Sequence, residues 1–164
     1  MNINSITTSF ANLLTSNNTT TATYDLSANL KTRVSGVHIG VANSHEKLPV
    51  PYTAYPLVCM QAESSTQEFN ELGNSSRRNI NIRLSAVGIT YYGMGAGDER
   101  IGRQVADKEA MELAANIEAI FQNNITASST VDWVLVDNVD YSANIGDGAY
   151  NSVVKINLLA RKRQ

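Results

Sequence analysis

The sequence predicts an α+β fold: a mixed, mainly antiparallel sheet packed against one long helix and a short N-terminal helix. Three observations carry this. Residues 79–92 alternate apolar and polar side chains with the period of a half-buried strand. Residues 98–123 repeat apolar side chains at three- and four-residue spacing, the mark of an amphipathic helix. Two further strand patterns follow that helix, at 131–136 and 150–161. A chain of 164 residues with 43% hydrophobic content is long and apolar enough for a single domain with a real core.

At the N-terminus, Ile3, Ile6, Phe10, Leu13 and Leu14 share one helical face, with Asn2 or Asn4 available as the N-cap. Residues 15–23 are low in complexity and have no apolar period, so a loop is expected there. Val34, Val37, Ile39 and Val41 suggest a strand interrupted by Gly36 and Gly40. Pro49, Pro51 and Pro56 break the chain ahead of a short buried strand, Leu57 to Met60. Residues 61–79 then read as a long polar loop with Phe69 and Leu72 as isolated apolar residues. A loop of that length is functional or disordered, and it is expected to be mobile in the isolated subunit and ordered against a neighbour.

In the next strand Ile80, Ile82, Leu84 and Ala86 form the apolar phase until Val87, Ile89 and Tyr91 take it over around Gly88. That slip means either a bulge or a strand end covered on both faces. Gly93 to Gly97 make a turn, and Asp98-Glu99 supply a cap and acidic charge for the helix that follows. In that helix Ala110, Leu113, Ile117, Ile120 and Phe121 should face the sheet, with Trp133, Val154 and Ile156 opposite. Glu99/Arg103, Arg103/Asp107 and Lys108/Glu112 should be solvated pairs. The dense apolar run ending at Val136 should begin to end at Asp137-Asn138, with residues 142–148 as a loop. In the last strand Tyr150, Ser152, Val154, Ile156, Leu158 and Ala160 should form one face and Asn151, Val153, Lys155, Asn157, Leu159 and Arg161 the other.

Composition narrows function. With 13 basic and 15 acidic residues the net charge is −2, without the basic stripe of a dedicated nucleic-acid binder. Arg77-Arg78 and Arg161-Lys162-Arg163 are short solvated clusters. No apolar run reaches the roughly 18 residues of a membrane-spanning helix, and the N-terminus lacks the basic and apolar regions of a signal peptide. Cys59 stands alone, which excludes an intrachain disulfide and a cysteine-based metal site and suits a small buried apolar residue. His38 and His45 have no ligand set around them. Gly93 and Gly95 lack a third glycine at position 98, where Asp98 would oppose a pyrophosphate, and no Lys-Ser/Thr pair makes a P-loop. Asp132, Asp137, Asp140 and Asp147 lack calcium-loop spacing and suit solvated turns. No catalytic, cofactor-binding or metal site is expected, and the chain is not expected to be an enzyme.

The sequence resembles the tail terminator proteins of tailed bacteriophages, also called tail completion or head-to-tail joining proteins. The likeness is carried by Tyr55-Pro56-Leu57-Val58, Arg78-Asn79-Ile80-Asn81-Ile82-Arg83-Leu84, the helix Asp98 to Asn123, and Trp133-Val134-Leu135-Val136 with Ser152 to Leu159. It spans roughly two-thirds of the chain, as a common core with variable ends would. Residues 15–23 and 43–55 have no counterpart.

The resemblance implies an α/β sandwich protomer in a hexameric ring on the head-proximal end of the tail tube. That ring would stop tube polymerisation and join the tail to the head connector or neck protein. Its location would be the virion tail or neck, and the host cytoplasm during assembly. DNA would pass through the lumen without specific binding. The polar loop and the basic clusters supply the expected protein-interaction residues: Glu68, Phe69, Glu71, Arg77, Arg78, Arg161, Lys162 and Arg163. A neck, adaptor or tail-tube subunit of the same virion is the alternative, as is a generic non-enzymatic α+β binding module.

Overall fold

The alternation at residues 79–92 becomes a central strand. The computed structural model describes residues 2–19, 21–28, 34–40, 55–69, 78–93, 99–146 and 149–163. Their elements run α1 (Ile3–Ser16), β1 (Gly36–Ile39), β2 (Leu57–Phe69), β3 (Arg78–Gly93), α2 (Glu99–Asn123), β4 (Trp133–Gly146) and β5 (Ala149–Arg163). The strands form one sheet in the order β1-β2-β3-β5-β4. β1 is parallel to β2 and every other pairing is antiparallel. This is the expected α+β architecture of a mixed, mainly antiparallel sheet with a long and a short helix.

Both helices lie on one face, α1 over β1 and β2 and α2 over β3, β5 and β4. The side chain of Asn2 caps α1 by accepting from the Asn4 backbone N–H at 3.0 Å. Thr7, Thr8, Ser9 and Thr15 each donate a hydroxyl to the carbonyl four residues back, which satisfies these hydroxyls within the helix, whose stability comes from its buried apolar face. The helix ends at Ser16, so Thr15 and Ser16 belong to it, and the turns begin at Asn17. Ile6, Phe10, Leu13 and Leu14 are buried, and the Phe10 ring meets Phe121 of α2 with centroids 5.4 Å apart.

From α2, Ala110, Leu113, Ile117, Ile120 and Phe121 are all buried against the sheet, as their spacing predicts. Each large apolar side chain so buried stabilises the fold by about 1.5–3 kcal/mol. Arg103 pairs with Asp107 at 3.9 Å and Lys108 with Glu112 at 3.8 Å, and Asp107 also accepts from the Ser152 hydroxyl of β5, so it is not wholly solvated. The Glu99 side chain, the Asp98 cap and the glycine turn at 94–98 lie outside the described residues.

The slip at Val87 is not a bulge, because the β3–β5 register runs unbroken from Asn79 to Gly93. Both faces are covered there. Ile80, Ile82, Leu84, Ala86 and Thr90 face the helices, while Val87 and Ile89 join Leu57 and Val153 in a second apolar cluster on the other face. Gly88 belongs to the helix-facing phase. A Cβ at that position would lie 2.6 Å from Leu113 Cδ2 and 3.0 Å from Val154 Cγ1, so its bare backbone makes room for the leucine. Thr90 then donates to the Ala106 carbonyl at 2.8 Å and fixes the other half of α2 to the strand.

Three expectations need correction. Residues 61–69 are not loop: β2 continues through them, with Ser64 to Phe69 paired to Arg83 to Arg78, and Arg78 and Asn79 open β3. Only residues 70–77 of the expected loop lie outside the described residues. Polar side chains exposed on both sides give no apolar period, and the strand is held by its backbone ladder. β4 does not begin to end at Asp137 but runs to Gly146, after a bulge between Val136 and Asn138; of the expected loop at 142–148, residues 142–146 are strand and 147–148 lie outside the described residues. Trp133 does not face the helix. It pairs with Arg161 while its neighbour Val134 pairs with buried Ala160, so the indole is on the helix-free side.

Candidate interaction surface

Register defines the helix-free face. Ser64, Thr66 and Glu68 of β2 stand beside Arg83, Asn81 and Asn79 of β3. These stand beside Leu159, Arg161 and Arg163 of β5, and Leu159 and Arg161 stand beside Leu135 and Trp133 of β4. Four strands therefore bring to one end of the sheet residues that the sequence holds far apart.

The expected interaction residues fall at that end, but on two faces. Glu68, Arg161 and Arg163 occupy the helix-free face, whereas Arg78 and Lys162 share the phase of Ile80, which faces the helices. The backbone of Phe69 pairs with Arg78 at the tip, and Glu71 and Arg77 lie outside the described residues. Glu68 accepts a hydrogen bond from Asn81 Nδ2 at 3.0 Å. Asp132 accepts the Arg163 backbone N–H at 2.7 Å and so anchors the end of β5.

Sequence reasoning missed Arg83, Trp133, Leu135 and Leu159 as members of this surface. Arg83 shares a phase with Asn79 and Asn81, and Leu159 shares one with Arg161. That signal was available in both strands, but no signal showed that the two phases would meet.

Two bulges cross the sheet at one level. The extra residue of β2 is Glu63, between Ala62 paired to Leu84 and Ser64 paired to Arg83. The extra residue of β4 is Asp137, between Val136 paired to Leu158 and Asn138 paired to Asn157. Leu84 pairs with Leu158, so both interruptions lie on the same row. A polar depression of about 170 Å³ sits there, lined by Glu63, Arg83, Asp137, Asn138 and Asn157 with Leu84 and Leu158. That is smaller than the roughly 300–1,000 Å³ of small-molecule sites.

Of the charges near the depression, Glu63 and Asp140 have partners, whereas Arg83 and Asp137 on its wall form no ion pair with a described residue. Lys155 Nζ lies 2.5 Å from Glu63 Oε1, and this hydrogen bond holds the Glu63 carboxyl below the ordinary glutamate range against the opposing effect of partial burial. Asp140 accepts from Asn138 at 3.1 Å and from Asn157 at 2.8 Å. Toward the tip of the face Arg161 and Arg163 likewise form no ion pair with a described residue.

His38 is exposed on β1 and His45 lies outside the described residues. Cys59 is half-buried beside the second apolar cluster, and burial pushes its thiol up. Asp132, Asp137 and Asp140 are exposed, the last two in strand rather than turn, and Asp147 lies outside the described residues. Among the described residues no three His, Cys, Asp or Glu side chains gather as a metal site, and no helix is long and apolar enough to cross a membrane. No protein-family model matches the chain, and no curated protein matches it.

Proposed function

We propose that this protein is a structural virion subunit of a tailed bacteriophage, forming a ring on the head-proximal end of the tail tube that ends polymerisation and joins the tail to the head connector. The observation that supports this most is the far end of the helix-free face. Helices cover one face, and on the other, beyond the second apolar cluster, the ends of β2, β3, β5 and β4 carry a polar and basic surface on which Ser64, Thr66, Glu68, Arg83 and Arg163 are exposed. The order of elements, a short helix, strands, a long helix and two closing strands, is also that of the resemblance.

The two sides of the sheet are unlike. Among the described residues β4 has no strand on its outer side, and β2 beyond Met60 has none on the β1 side. A neighbour bridging these sides meets two different surfaces, which is the heterologous contact that closes rings.

Negative-stain imaging and mass measurement of the purified chain, alone and with tails lacking it, test the proposal. Rings on the head-proximal tail end, with tails of one length, are the expected result. A strict monomer that leaves tail length uncontrolled would overturn it.

A further inference from the structure

We infer that the Arg83, Arg161 and Arg163 end of the helix-free face, with Trp133 and Leu135, docks an acidic segment of a different protein that also carries aliphatic side chains. The surface combines two chemistries on adjacent strands. Arg83 and Arg163 are exposed and Arg161 is partly so, none paired with a described carboxylate. Leu135 is 56% exposed, beside half-buried Leu159 and Trp133. Of the acids nearby, Glu68 accepts from Asn81, Asp132 accepts the Arg163 backbone N–H, and Asp137 lines the depression beside Arg83; none forms an ion pair with these guanidinium groups.

Unpaired guanidinium groups match carboxylates in a planar, bidentate geometry. Arginine and tryptophan with adjacent aliphatic surface is the composition of protein-binding centres. A phosphodiester backbone would neutralise the arginines but leave Leu135 without a match, so a polypeptide is favoured over nucleic acid. A second copy of the chain is the competing occupant, because Asp132 and Asp137 are exposed and in no ion pair, and the oligomer mass below tests it. The docking rests on the same surface as the ring reading, but the outcomes separate: a ring that forms without binding the peptide sinks the docking alone, and a monomer that binds it sinks the ring reading alone.

The probes are a labelled short peptide alternating glutamate and leucine, its glutamate–serine counterpart, and an oligothymidylate, all titrated by fluorescence anisotropy at physiological salt. The full chain should bind the glutamate–leucine peptide best. Arg83→Glu/Arg161→Glu should weaken that binding about tenfold or more, and exposed Leu135→Ser by several-fold, with unchanged melting. Absence of binding, equal binding by the charge-reversed protein, or tighter binding of the oligothymidylate overturns the inference. So would a drop in oligomer mass on charge reversal, which would put a second copy on this surface.

Discussion

Leu113 shows how one position couples two elements. It is fully buried and fills the space that Gly88 leaves open, so a charge there would have no partner and no room to turn away. Leu113→Asp should cost several kcal/mol in urea denaturation, and an unchanged midpoint would refute the helix orientation. Glu63 and Lys155 make a weaker case, because both side chains are about a third exposed. The Glu63 carboxyl is lowered in the folded protein, so the pair stabilises above the ordinary glutamate value of about 4.3 and loses that contribution as pH falls through the lowered value. Lys155→Met should therefore cost at most about 1 kcal/mol at neutral pH, and the difference from wild type should close in acid and shrink in salt. Residues such as Leu113 were legible because their spacing admits one face. Trp133 was not, because Trp133 to Val136 are apolar in both phases and only pairing with β5 separates them.

At the scale of elements, legibility followed the period. β5 alternates cleanly and appeared in the sequence nearly at its full extent, whereas β2 and β4 were cut short for two different reasons. In β4 the helix-facing valines Val134, Val136 and Val139 are spaced by two and then three, and that extra residue reads as an ending when it is a bulge. In β2 the run Ala62 to Glu68 is exposed on both sides, so burial leaves no mark on its composition. A strand held by its ladder alone opens at lower cost than one packed under helices. Hydrogen exchange should show Ser64 to Glu68 amides turning over by local opening, well ahead of Val58 and Met60. Equal protection along all of β2 would mean that something else covers its outer half.

For the whole molecule, net charge and its distribution carry different messages. The total of −2 argues against affinity for DNA, yet the arginines collect at one end of the helix-free face. A small unmatched cluster contributes few counterions on binding, so affinity for duplex DNA should be weak and should fall further with salt. A filter-binding titration that found sub-micromolar affinity at physiological salt would contradict a passive conduit. The candidate surface was only partly legible for a related reason. Glu68 and Arg161 to Arg163 stood out as charges in the sequence, but the strand order that brings Arg83 and Trp133 to the same place is a property of the folded sheet alone.

The aligned bulges also decide where the chain can be shortened. Removing Asp137 would leave Val136 and Asn138 consecutive and opposite Leu158 and Asn157, a regular ladder in which every remaining side chain keeps its face. Removing Glu63 would do the same for β2 between Ala62 and Ser64. A single deletion at buried Val58 or Val134, away from the bulges, would instead make neighbouring residues slip and turn buried side chains toward water. Deletion of Glu63 or Asp137, read by soluble expression, should thus be tolerated where deletion of Val58 or Val134 is not.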